Sequence, residues 1–174
     1  MKNLLIQTIT LLTLMLCGDM AESAAENCLC LQGACPMYWY QYKDSCYRPV
    51  MIQMSWPDAE IYCQNKFQGA HLASVHSLEE NNFIFVLMGR LSDYAKKEAY
   101  WIGAHDFFKE GLFAWTDGTE MDYQIFGPNQ PDNAREGESY VGTWSVEDGT
   151  VTWNDYPYNP IYFFPFVCKS KISH

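Results

Sequence analysis

Five oxygen-bearing side chains in the second half of the chain are suited to chemistry: Gln130, Asp132, Glu138, Asn154 and Asp155. Carboxylates and amide carbonyls are the groups a calcium ion gathers, about six to eight oxygens at a time. Singly, such residues in a polar loop are usually just solvated. No catalytic apparatus competes with them. No Ser, His and Asp set and no activated nucleophile stands out, and His71 and His76 are expected to pack or cap rather than catalyse or bind metal. The chemistry implied is binding, and the chain is expected not to be an enzyme.

Such a loop has to be held by a scaffold. Residues 121–138 form a long polar segment with Gly127, Pro128 and Pro131, and ordered loops of that length are usually functional. Short strands are predicted before it at 100–103 and 112–115, the second running into an Asp117-Gly118 turn. After it, 140–146 and 150–153 flank Asp148-Gly149, a hairpin signal, and 163–168 reads as a last apolar strand. In the first half, 38–47 alternates as a strand pair. Ser55 opens a helix with Asp58 in capping position, and Trp56, Ala59, Cys63 and Phe67 share its apolar face until Gly69. Ser77 and Glu80 form a second capping box, ahead of Phe83, Leu87 and Leu91. Helices first and an antiparallel sheet after them make the fold class α+β.

The 174 residues fit one domain, and 48% apolar with 16% aromatic content excludes a disordered chain. Acidic residues outnumber basic ones 21 to 11, for a net charge of −10. That sign argues against nucleic acid and anionic membranes as partners and suits a hard cation. Lys2, an apolar run over 4–16 and the small residues Ser23-Ala24-Ala25 describe a secretory signal peptide over 1–25. The run is shorter than the ~20 residues of a membrane span. A secreted, extracellular protein is expected, with a short lead-in at 26–34 and the domain at 35–174. Removing the leader removes Cys17 and leaves Cys28, Cys30, Cys35, Cys46, Cys63 and Cys168, an even set that argues for disulfides. Spacing alone does not choose among the pairings.

The ordered set Cys35-Pro36, Trp39, Cys46, Trp56-Pro57-Asp58-Ala59, Cys63, Trp101-Ile102-Gly103, Trp115, Gln130-Pro131-Asp132, Trp153-Asn154-Asp155 and Cys168 resembles the C-type lectin domain family over nearly the whole mature chain. Its small secreted members, such as lectins of fish mucus and snake venom, are the nearest likeness. The resemblance implies two disulfides, Cys35–Cys46 and Cys63–Cys168. Cys28 and Cys30 are then left over, and an interchain bridge through them would give a disulfide-linked homodimer.

The resemblance also makes Gln130, Asp132, Glu138, Asn154 and Asp155 both the Ca2+ ligands and the sugar-binding residues, with a cis bond before Pro131. Asp106 and Glu110, with Asn133 nearby, match an auxiliary calcium site of some members. Two sugar hydroxyls would complete the calcium shell, and the order Gln-Pro-Asp implies galactose or lactose over mannose. Galactose-containing glycans on cell or pathogen surfaces, agglutination and innate immunity are the implied setting. There are two departures. The cysteines that brace the binding loops in most members are Tyr140 and Tyr158 here. The aromatic residue that galactose binders carry after the motif is missing from Asn133-Ala134-Arg135. The alternative is a relative that keeps the fold and binds a protein, or ice, without sugar or calcium.

Overall fold

The computed structural model describes residues 35–91, 98–134, 137–158 and 161–172. The expected leader at 1–25, the lead-in with Cys28 and Cys30, and Arg135 lie outside the described residues.

Local signals start both helices where the sequence places them. Helix α1 is Trp56–Lys66, and the Ser55 side chain accepts from Asp58 N at 3.3 Å while Pro57 occupies the first turn. Helix α2 is Leu78–Leu87, and Ser77 Oγ accepts from Glu80 N at 3.2 Å. Each cap is worth about 1 kcal/mol. The buried face of α1 carries Trp56, Ala59 and Cys63, as expected. Phe67 falls at the C-cap, and its ring meets that of Trp39 edge-on at 4.8 Å.

Helix α2 buries polar residues along with apolar ones. Its buried residues are Glu80, Asn81, Ile84 and Phe85, while Phe83, Leu87 and Leu91 pack only partly buried against the core. Polar bonds inside the core turn the helix this way. Asn81 Nδ2 donates to Val151 O at 2.9 Å, and Trp153 Nε1 donates to Asn81 Oδ1 at 3.0 Å. Lys169, only 8% exposed, donates from Nζ to Glu80 Oε1 at 2.7 Å and to Ser74 O at 3.0 Å. Tyr47 OH donates to the same glutamate oxygen. A buried polar group is tolerable only when it is bonded like this.

The strands are β1 (Tyr40–Tyr42), β2 (Ser45–Met54), β3 (His71–Leu72), β4 (Trp101–His105), β5 (Ala114–Trp115), β6 (Glu138–Glu147), β7 (Thr150–Pro157) and β8 (Phe164–Lys171). They form one sheet in the order β1-β2-β8-β4-β6-β7, with β3 paired to β8 and β5 to β4. All pairings are antiparallel except β4 with β8, where Trp101 lies opposite Phe166. Asp148 (φ 49°) and Gly149 (φ 81°) turn β6 into β7, the backbone such a two-residue hairpin demands. Gly103 lets β4 approach the β3 backbone, for a Cβ there would lie 2.5 Å from Leu72 O. Disulfides join Cys35 to Cys46 and Cys63 to Cys168, the latter closing 105 residues.

The long loop between β5 and β6 is fastened to β7 immediately before Asn154. Trp153 N donates to Ile125 O and Gly127 N to Trp153 O, both at 2.9 Å. Phe126 packs against Trp153 and Phe113 as part of the core margin. The loop, the start of β6 and the end of β7 thereby converge.

Candidate metal centre

Carboxylate oxygens of Asp132, from the long loop, Glu138, from the first position of β6, and Asp155, from β7, lie within 4.8 Å of one another. Backbone donors set this geometry. Asp155 accepts from Asp132 N at 3.1 Å and from Asn133 N at 2.9 Å, one on each oxygen. Ala134 N lies 3.2 Å from Asp132 Oδ1 and 3.1 Å from Glu138 Oε2. The Gln130–Pro131 bond is cis, and Asn129 (φ 61°) and Asn133 (φ 44°) take left-handed backbone, which asparagine tolerates better than most residues.

Close carboxylates repel, and burial removes the water that would screen them. Burial first, then the Asp155 charge, pushes the Glu138 carboxyl up to about 7. Asp155 is raised too, mainly by burial. Near these acids in the chain, Gln130 and Asn154 carry amide oxygens, Oε1 and Oδ1, that are buried with no hydrogen-bond partner within the protein. Asn154 is held by its other amide atom, Nδ2, which donates to Asp155 O at 2.5 Å. Two orphaned amide oxygens and three crowded carboxylates fit a hard divalent cation, which takes both kinds of oxygen and relieves the repulsion.

The auxiliary residues behave differently from one another. Asp106 is buried, its Oδ2 accepting from Gly111 N at 2.8 Å and its Oδ1 unpartnered. Desolvation, then the charges of Asp106 and Asp155, raise the Glu110 carboxyl, so these acids share one field. Asn133 Oδ1 accepts from Gly137 N at 2.7 Å and Glu138 N at 3.0 Å, so both its lone pairs serve the loop itself. The backbone donors that set the site were invisible in the residue types. The only signal was asparagine at two positions that needed positive φ.

A Ser–His–Asp trio also exists, which sequence spacing did not show. His76 Nε2 lies 3.2 Å from Ser74 Oγ and His76 Nδ1 2.7 Å from Asp122 Oδ1. Ser74 is fully buried, its hydroxyl donates to Asp117 Oδ2 at 2.5 Å, and it accepts from Lys169 Nζ at 3.1 Å. A hydroxyl so enclosed has no path to a substrate, and the trio ties loops together. His71 is likewise structural, its Nδ1 2.6 Å from Glu60 Oε1.

Residues 52–170 match the lectin C-type domain. The chain belongs to the C-type lectin family. A C-type lectin mannose-binding isoform from Oxyuranus scutellatus is 30% identical to this C-type lectin over 170 residues, 97% of this chain and 99% of its own. The crystal structure of the C-type lectin CEL-I from Cucumaria echinata superposes with a TM-score of 0.69 at 29% identity, over 80% of this chain and 99% of that one. A calcium-independent type II antifreeze protein superposes with a TM-score of 0.65, also at 29% identity, over 80% and 95% of the two chains. The fold thus serves both a lectin and an antifreeze protein among its neighbours. Among the described residues, no helix of this lectin is long and apolar enough to cross a membrane.

Proposed function

We propose that this C-type lectin is a secreted protein that binds galactose-type sugars through a calcium ion held by Gln130, Asp132, Glu138, Asn154 and Asp155. The observation that carries this reading is the pair of buried, unpartnered amide oxygens of Gln130 and Asn154 together with the three carboxylates. Buried acceptors are usually paired, and a cation bound by the acids would pair these two. When bound, calcium supplies a Lewis-acidic centre to which vicinal sugar hydroxyls add their oxygens. The residues orient the sugar: acids accept from its hydroxyls and amides donate to them.

Galactose rather than mannose follows from the order amide at 130, acid at 132. Two relatives are named for mannose, which makes the choice of sugar the first thing to test. The leader at 1–25 and an interchain bridge through Cys28 or Cys30 belong to the same reading, since a covalent dimer would turn weak single-site binding into agglutination by avidity.

The test is retention of the oxidised mature protein on lactose-agarose and mannose-agarose in calcium, followed by a chelator wash. Retention on lactose with release by chelator supports the reading. Retention that survives the chelator removes calcium from it. Blank columns of both kinds favour the second reading, a calcium-free ligand such as protein or ice, towards which the antifreeze neighbour points.

A further inference from the structure

Beside the acidic cluster lies a band of aromatic rings that the cation site does not use. Phe107 is 49% exposed, Phe108 86% and Tyr158 72%. The rings touch in series. Phe107 stacks on His105 at 4.2 Å between centroids and meets Tyr140 at 5.1 Å, and Tyr140 meets Tyr158 at 6.2 Å. Such a patch of large apolar side chains at the surface marks an interaction site.

The band and the acids share one framework. Tyr140 stands two positions after Glu138 on β6, and Pro157, next to Tyr158, lies opposite Glu138 in the β6–β7 ladder. Asp106 N, at the root of the Phe107 loop, donates to Ser139 O at 3.3 Å, between those two β6 residues. One polar group is set among the rings. His105 is only 6% exposed, and its Nδ1 has no hydrogen-bond partner within the protein.

We infer that Tyr140, Tyr158 and Phe107 form a second subsite, which takes the apolar face of the next sugar ring in a glycan whose terminal residue occupies the cation site. This rests on the sugar-binding reading above. A pyranose ring has an apolar C–H face and a rim of hydroxyls. Aromatic surfaces carrying phenol hydroxyls complement both features. A lipid or alkyl partner would want the rings without the polar atoms. The band replaces the stacking residue missing after Asp132, and it does so with the two tyrosines that stand where other members have cysteines.

The experiment is calorimetric titration in calcium of galactose, a galactose-terminated tetrasaccharide and octyl β-galactoside, using the oxidised mature protein, Tyr158→Ala and Tyr158→Phe. Tyr158 is exposed, so its replacement leaves the core alone. The tetrasaccharide is expected to bind wild type about three- to tenfold more tightly than galactose, as one aromatic contact of this kind provides. Tyr158→Ala should erase that gain while calcium and galactose affinities stay unchanged, and Tyr158→Phe should keep most of it. Equal affinities for the two sugars, or a variant that weakens both alike, overturn the subsite and leave the cation reading standing. An octyl chain giving the whole gain assigns the band to an alkyl group and overturns the sugar-ring assignment. No sugar bound by wild type at all overturns both.

Discussion

Asp155 Oδ1 accepts a hydrogen bond from the backbone N–H of Asp132 across 23 positions of sequence, so the end of β7 fixes the shape of the loop after Pro131. The second Asp155 oxygen does the same for Asn133. One carboxylate thus builds the loop and belongs to the acidic cluster with Asp132 and Glu138.

Asp155→Asn should separate these roles. An amide keeps one acceptor oxygen but turns its nitrogen toward an N–H donor, so the bond from Asn133 is lost. Calcium affinity is expected to fall at least about 10–100-fold, while the thermal midpoint in chelator moves by only a few degrees. Calcium titration by calorimetry and chelator melts check the two halves.

Exchanging acid and amide should exchange the sugars. Gln130→Glu with Asp132→Asn reverses the donor and acceptor order around the ion without changing its ligand count. Preference is expected to shift from galactose toward mannose, read as the elution order on the two affinity columns. Unchanged preference would place specificity outside this loop.

Acid should release the ion. Burial and the Asp155 charge hold the ion-free Glu138 carboxyl near 7, so below that pH calcium enters only by displacing a proton. Affinity is expected to be full above pH 7 and to drop by about tenfold per unit below it for each proton displaced. Stability without calcium has the opposite sign. A carboxyl raised above its unfolded value opposes the fold at neutral pH and ceases to oppose it as the pH falls towards that unfolded value. Glu138→Gln should therefore stabilise the ion-free protein at pH 7 and abolish calcium binding, measured by melts in chelator and by titration.

Away from the site, Glu80→Ala leaves Lys169 buried with an unpaired charge and removes the partner of Tyr47. A cost of about 3–5 kcal/mol is expected in denaturant unfolding. Glu80→Gln should cost less, because it keeps an acceptor for both donors.

Helix starts and the β6–β7 hairpin were legible in sequence because their signals are local, Ser55 and Ser77 at caps and Asp148-Gly149 at a turn, whereas the grouping of Asp132, Glu138 and Asp155 was implied only by the family resemblance. The face of α2 was not legible. Asn81 reaches the core by bonding Trp153 and Val151, partners some seventy positions away. Lys169 was illegible for the same reason: nothing near it in sequence announces Glu80.

The Cys63–Cys168 disulfide has a mechanical consequence. It short-circuits the 105-position stretch between its ends. Tension applied at the two ends of the folded unit therefore crosses from α1 to β8 through sulfur. The covalent path never passes through the chain that carries Gln130, Asp132, Glu138, Asn154 and Asp155. A protease nick in the long loop would therefore leave both fragments attached.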